Sequence, residues 1–117
     1  MRRKPGSLLP LEVAILSTIA RLRRRDIPEC HGYEIARHLR EISDRNLLTA
    51  YGTLYRALGR LKKMGLLKSR WEDPQVAADE ARPGRRLYAL TGAGAAARAK
   101  AKIELRAATR RGKLARA

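Results

Sequence analysis

The sequence predicts a mostly α-helical chain with one small β-hairpin and a long helix at its C-terminal end. Three observations carry that expectation. Apolar residues recur at helical spacing through three successive segments that end near Leu66. The period then drops to two over residues 67–71 and again over 86–90. From Gly92 onward the chain is dominated by alanine, the strongest helix former.

At 117 residues the chain is expected to make one domain. Hydrophobic residues make up 44%, but aromatics only 4% and phenylalanine is absent, so Leu, Ile and Ala must fill the core. A core this light often leans on oligomerisation. Lys and Arg total 27 against 11 Asp and Glu, a net charge of +16. That balance calls for a polyanionic partner, with nucleic acid as the default. No run of about 18 apolar residues is present, so no membrane span and no membrane partner are expected. The single cysteine, Cys30, excludes an internal disulfide and fits a reducing cytoplasm.

Residues 1–7, MRRKPGS, are expected to form a flexible basic arm. The first helix runs from Leu8 to about Arg25, with Leu9, Val13, Leu16 and Ala20 in one stripe widened by Leu8, Ile15, Ile19 and Leu22. Pro10 is tolerated in its first turn. The apolar face exceeds what one small core can cover, a first sign of a dimer. His31-Gly32-Tyr33 opens a second helix to about Ser43, with Ile35, Ala36, Leu39 and Ile42 inside. The third helix spans Thr49 to Leu66, capped by Thr49 and stopped by Gly65. Tyr51, Leu54, Tyr55, Leu58 and Leu61 make its apolar stripe, and Thr53, Arg56, Arg60 and Lys63 its polar front. Two helices joined by a short turn, the second one basic, make a helix-turn-helix.

Leu67, Ser69 and Trp71 alternate with charged residues in a first strand, and Arg86, Tyr88 and Leu90 mark a second. Between them, residues 73 to about 84 are expected to be a loop ending in Arg82, Arg85 and Arg86. A hairpin directly after a recognition helix is a wing, and its basic side can lie along a groove or a backbone. Thr91 caps the last helix, expected from about Gly92 to Arg111 with Gly112 as its stop. About twenty residues of helix reach roughly 30 Å, longer than a small core needs, so it should pack against another chain.

Catalytic and metal-binding constellations are not expected. Cys30, His31 and His38 lack standard ligand spacing and a fourth ligand. No nucleophile–base arrangement and no phosphate-binding loop is suggested, since GAGAAA at 92–97 lacks the surrounding pattern and begins a helix. No enzyme activity, cofactor or metal is therefore expected.

HGYEIARHL at 31–39, YGTLYRALGRLKKMGLLKSRWE at 51–72 and RRLYALTGAG at 85–94 together resemble the PadR-type transcriptional regulators, in order and spacing over about residues 8–111. The resemblance implies a winged helix-turn-helix over 8–90 and a C-terminal dimerisation helix and tail over 91–117. It implies a homodimer joined through the first and last helices, for which Leu8, Leu9, Leu16, Ala99, Ile103 and Leu105 are the candidate residues. It also implies repression of a nearby gene, relieved by a small-molecule effector at the dimer centre. By position, Tyr33, Thr49, Tyr51, Gly52, Thr53 and Arg56 fall where the family meets DNA, and Tyr55, Leu58 and Leu61 fall in the core. Some small members carry a tryptophan on the last helix that stacks flat drugs. Here that helix has no aromatic residue, and Trp71 on the first wing strand is expected to pack in the core.

The expected function is a sequence-specific, cytoplasmic, nucleoid-associated regulator that binds a palindromic operator in double-stranded DNA. Tyr51, Thr53 and Arg56 would approach base edges. Tyr33, Arg60, Lys63, Arg82, Arg85 and Arg86 would contact phosphate. The alternative is a non-specific architectural nucleic-acid-binding protein, to which a charge of +16 also points.

Overall fold

The computed structural model describes residues 7–42 and 51–116. Helix α1 (Pro10–Arg24) begins at Pro10, whose fixed φ and missing N–H suit the first helical position. Leu9, the residue before it, has no side-chain acceptor, so Glu12 reaches back instead and takes the Leu9 N–H at 2.7 Å. Arg21, Arg23 and Arg24 crowd the last turn, where the helix dipole favours cations. The chain then reverses through Asp26 (φ 64°) into a two-residue strand, β1 (Cys30–His31), which the sequence reading missed.

Helix α2 (Gly32–Ile42) follows β1 directly. Helix α3 (Tyr51–Lys63) ends as expected at Gly65, which takes φ 76°. The expected cap Thr49 lies outside the described residues. Strands β2 (Leu67–Trp71) and β3 (Arg86–Leu90) pair antiparallel from Leu67 opposite Leu90 to Trp71 opposite Arg86. Strand β1 pairs on the other side of β3, giving the order β1-β3-β2.

The segment expected as a loop holds a short helix, α4 (Pro74–Asp79). Asp73 caps it by accepting the Gln75 N–H at 2.9 Å, and Pro74 fills its first position. Helix α5 (Gly92–Arg116) starts as expected: Thr91 Oγ1 accepts the Gly94 N–H at 3.0 Å. The same hydroxyl donates to the Gly65 carbonyl at 2.7 Å, tying the start of α5 to the end of α3. Gly112 does not stop α5. An interior glycine costs a helix only about 1 kcal/mol, and Arg110, Arg111, Lys113 and Leu114 around it are good helix formers.

The core lies where the three N-terminal helices meet one face of the sheet. Ile15, Leu16, Ile19 and Leu22 of α1 meet Ile35 and Leu39 of α2 and Leu54, Leu58 and Leu61 of α3. Leu67, Tyr88 and Leu90 close it from the sheet, and Ala97 of α5 packs against its edge. Each of these large side chains contributes about 1.5–3 kcal/mol by leaving water. Leu16 is fully buried here, so it cannot serve in a dimer surface: its place is inside its own chain. Leu9, Ile103 and Leu105 remain exposed, at 42, 66 and 65%. Ala99 is exposed and Leu8 half-buried. Helix α5 crosses α1, where Arg98 Nε donates to Ser17 Oγ at 3.3 Å, and then runs on past the core. The molecule is accordingly elongated, 60 × 29 × 27 Å. Among the described residues no helix is long and apolar enough to cross a membrane.

Candidate nucleic-acid interface

The buried and exposed positions of α3 define its open side. Leu54, Ala57, Leu58 and Leu61 are buried, whereas Gly52, Tyr55, Arg56, Gly59, Lys62 and Lys63 are exposed. The second set follows the i, i+3, i+4, i+7 rule of one helical face. The face is turned from the one the sequence suggests. Thr53 and Arg60 sit at its flank, half-buried, and Lys62 joins it. Tyr55, expected in the core, is 49% exposed. Its ring lies across Gly32, where an added Cβ would come within 2.7–2.9 Å of its atoms. The bare backbone of Gly32 is what lets α2 and α3 approach here, and it leaves the outer side of the tyrosine open.

Arg56 is exposed, with Nε 3.5 Å from the Gly52 carbonyl, a weak local contact that leaves the guanidinium available. Lys63 is exposed in the last turn. Tyr51 opens the helix, and its side chain, like all of Thr49, falls outside the described residues.

Two of the expected phosphate contacts are already occupied inside the chain. Arg60 Nη1 bonds the carboxylate of Glu12, whose side chain is 1% exposed, and Nη2 donates to the Ser7 carbonyl at 3.2 Å. From the sequence alone this guanidinium looks like a surface group, because Glu12 lies 48 residues away. Arg82 is held likewise. It bonds both oxygens of Glu72 and donates to Glu80 at 2.5 Å. These contacts lift Arg82 further above its ordinary range and hold the Glu72 carboxyl below the usual carboxylate range. Arg82 therefore ties the segment after α4 to Glu72, just past the far end of β2.

Arg85 is exposed and Arg86 half-buried. The Arg85 N–H is anchored to Glu72 Oε1 at 2.9 Å, and its Nη1 lies 3.1 Å from His31 Nε2. Arg86 Nε donates to Ser69 Oγ at 3.0 Å, and its guanidinium carbon sits 5.4 Å from the centre of the Trp71 ring. Trp71, expected in the core, is 63% exposed. It shares the core-facing side of β2 with Leu67 and Ser69, but the helices end before the strand does.

Tyr33 is 59% exposed in the first turn of α2, its ring centre 6.4 Å from that of His31. His31 and Glu34 start the helix together: Nδ1 lies 3.2 Å from the Glu34 N–H, and the Glu34 carboxylate returns to the His31 N–H at 3.5 Å. The two ring nitrogens cannot both accept in a neutral imidazole, so one of them carries the proton. Burial, opposed by Glu34 and reinforced by Arg85 and Arg82, lowers the His31 pKa from its ordinary value.

Nothing in this arrangement has the parts of a catalytic or metal centre. The Cys30 thiol is buried and pushed up to about 12, chiefly by desolvation and then by Glu34, so it is no nucleophile. Among the described residues no three His, Cys, Asp or Glu side chains are grouped to hold a metal. What the site presents is one face on which the open side of α3, the start of α2 and the wing arginines adjoin. Arg56, Lys62, Lys63, Arg85 and Arg86 are its cations.

A family model described as the transcriptional regulator PadR-like family matches residues 22–100. The structure is similar to a PadR family transcription regulator from Clostridium difficile, with TM-score 0.72 and 27% identity over 92% of this chain and 98% of that one. It is also similar to a PadR-like transcription factor from Bacteroides fragilis, with TM-score 0.66 and 26% identity over 88% of this chain and 86% of that one. PadR of Bacillus subtilis, solved in complex with operator DNA, shares the fold at TM-score 0.60 and 20% identity, over 80% of this chain and 47% of that one. Comparison with curated protein sequences gives no match.

Proposed function

The chain belongs to the transcriptional regulator PadR-like family, a family of regulators and not of enzymes, and on that premise we propose that it is a homodimeric repressor binding a palindromic operator in double-stranded DNA. The observation that carries the proposal is the open side of α3. It places small and cationic residues, Gly52, Arg56, Gly59, Lys62 and Lys63, on one face beside the wing. Such a helix enters a major groove while its leucine-rich back stays on the core. In this reading residues 8–90 form the DNA-binding unit, and α5 with the residues after it forms the dimer arm. Tyr51, Gly52, Thr53 and Arg56 approach base edges. Thr49, Tyr33, Lys62, Lys63, Arg85 and Arg86 hold the phosphate backbone. Arg60 and Arg82 leave the DNA-contacting set because their guanidinium groups are committed to Glu12, Glu72 and Glu80.

Dimerisation through α1 and α5 would cover the exposed Leu9 and Ile103 and place two copies of α3 about 34 Å apart, one turn of duplex. A small-molecule effector would release the dimer by preferring a form in which that spacing is lost.

Selection of bound sequences from random duplexes, followed by Arg56→Ala, tests the reading. Loss of a base contact lowers affinity for the selected site by about 1–3 kcal/mol and relaxes preference at one position. Equal losses on selected and scrambled duplex would remove Arg56 from base reading. The charge of +16 favours one other reading, a non-specific architectural binder. That reading requires equal affinity for selected and scrambled DNA at every salt concentration.

A further inference from the structure

The aromatic residues are concentrated in one place. Of four tyrosines and one tryptophan in the chain, Tyr33, Tyr55, Tyr88 and Trp71 line a single cleft of about 460 Å³, together with Arg85 and Arg86. The strand register explains how the cleft forms. Directly paired residues of an antiparallel ladder share a face, so Leu67/Leu90, Ser69/Tyr88 and Trp71/Arg86 lie on one side of the sheet. The first two pairs meet the helices. The third runs beyond them and becomes one wall, with Tyr88 at the floor. The opposite wall is Tyr33 from α2 and Tyr55 from α3, lying across Gly32.

Three large aromatic side chains between 49 and 63% exposed around one cavity form an apolar surface of the kind that marks a binding site. Among the described residues its lining carries two arginines and no carboxylate, and the Glu34 carboxylate lies behind His31, 3.3 Å from its Nε2. The Arg86 guanidinium is fixed by Ser69 and Trp71, and its two terminal nitrogens have no partner among the described residues.

We propose that this cleft binds a mononucleotide, with the base stacked among Tyr33, Tyr55 and Trp71 and the phosphate on Arg85 and Arg86. Aromatic faces accept any base, and a guanidinium fork matches phosphate geometry. The volume falls in the range of small-ligand sites, and a single-ring acid would leave most of it empty. The proposal rests on the repressor reading above and assigns its effector a place, between wing and recognition helix instead of at the dimer centre. A nucleotide there occupies ground the duplex needs, so the two compete, and each raises the other's apparent Kd by a factor set by its own concentration over its own Kd.

The same chemistry could come from a free nucleotide or from an unpaired nucleotide of a DNA strand, and the proposal is for the free one. Trp71 is the only tryptophan, so its emission reports on the cleft alone. Titration of the purified protein with AMP and GMP should give saturable quenching. Ribose 5-phosphate should give none, and adenosine should bind at least about tenfold more weakly, as should AMP to a folded Arg86→Gln variant. No saturable quenching by either nucleotide overturns the proposal. Equal quenching by ribose 5-phosphate overturns it by reducing the site to an anion patch, and so does preference for a short single-stranded oligonucleotide over AMP. Operator affinity measured in the same buffer without nucleotide tests the repressor reading separately, so either can fail while the other stands.

Discussion

Arg60→Ala separates two roles for one side chain, a phosphate contact and a structural partner of Glu12. The Glu12 side chain is 1% exposed, and Arg60 joins α3 through it to the start of α1, where the same carboxylate takes the Leu9 N–H. Removing the guanidinium takes the Arg60 charge away from a buried carboxylate, and breaking a buried pair from one side costs about 3–5 kcal/mol in comparable sites. Arg60 itself is 34% exposed, so water reaches the gap and the lower end, about 3 kcal/mol, is expected. For a domain of this size that lowers Tm by roughly 12 °C. Urea or thermal unfolding followed by far-UV circular dichroism at fixed protomer concentration measures it. The double variant Glu12→Leu/Arg60→Met removes both charges and should recover stability to within about 1 kcal/mol of the parent. A loss below about 1 kcal/mol for Arg60→Ala, together with weakened DNA binding, would refute the structural role and return Arg60 to the phosphate set.

Gly94→Ala should destabilise the fold by about 1–3 kcal/mol or more in the same assay, because its Cβ would fall 2.0 Å from the Leu66 carbonyl oxygen, a backbone atom with little freedom to yield. Lys63→Ala should weaken selected and scrambled duplexes alike and reduce the salt slope of log K by about one, read by fluorescence anisotropy across a salt series. His31 makes stability depend on pH. Its folded pKa lies below 6.5, so as pH falls through 6.5 the unfolded chain gains a proton that the folded chain resists, and stability drops. His31→Asn keeps a capping acceptor and should remove that part of the slope, while a slope unchanged by the substitution would contradict it.

The elements were legible where periodicity and capping chemistry agreed. Leu54, Leu58 and Leu61 repeat at helical spacing and are buried, Gly65 turns the chain, and Thr91 caps the last helix. Tyr55 and Trp71 show the limit of such patterns. A period identifies the side of an element, not how far the core extends along it. Trp71 is on the core-facing side of its strand but beyond the last helix, and Tyr55 is on the margin of its stripe, over a glycine of another helix. Leu16 shows the converse. A wide apolar stripe on α1 offers no way to tell core from partner surface, and Leu16 proved to be core. The ion pairs of Arg60 and Arg82 depend on partners that only the fold brings close. Helix α4 has a signal in the sequence all the same: Asp73 followed by Pro74 is a helix start inside the expected loop.

The homodimer reading places two copies of α3 in successive major grooves. A hydroxyl-radical and methylation-interference footprint on a selected duplex tests it most directly. Two protected windows related by a dyad are expected, with centres about 10–10.5 base pairs apart. A single window, or protection spread evenly along the duplex, would contradict it.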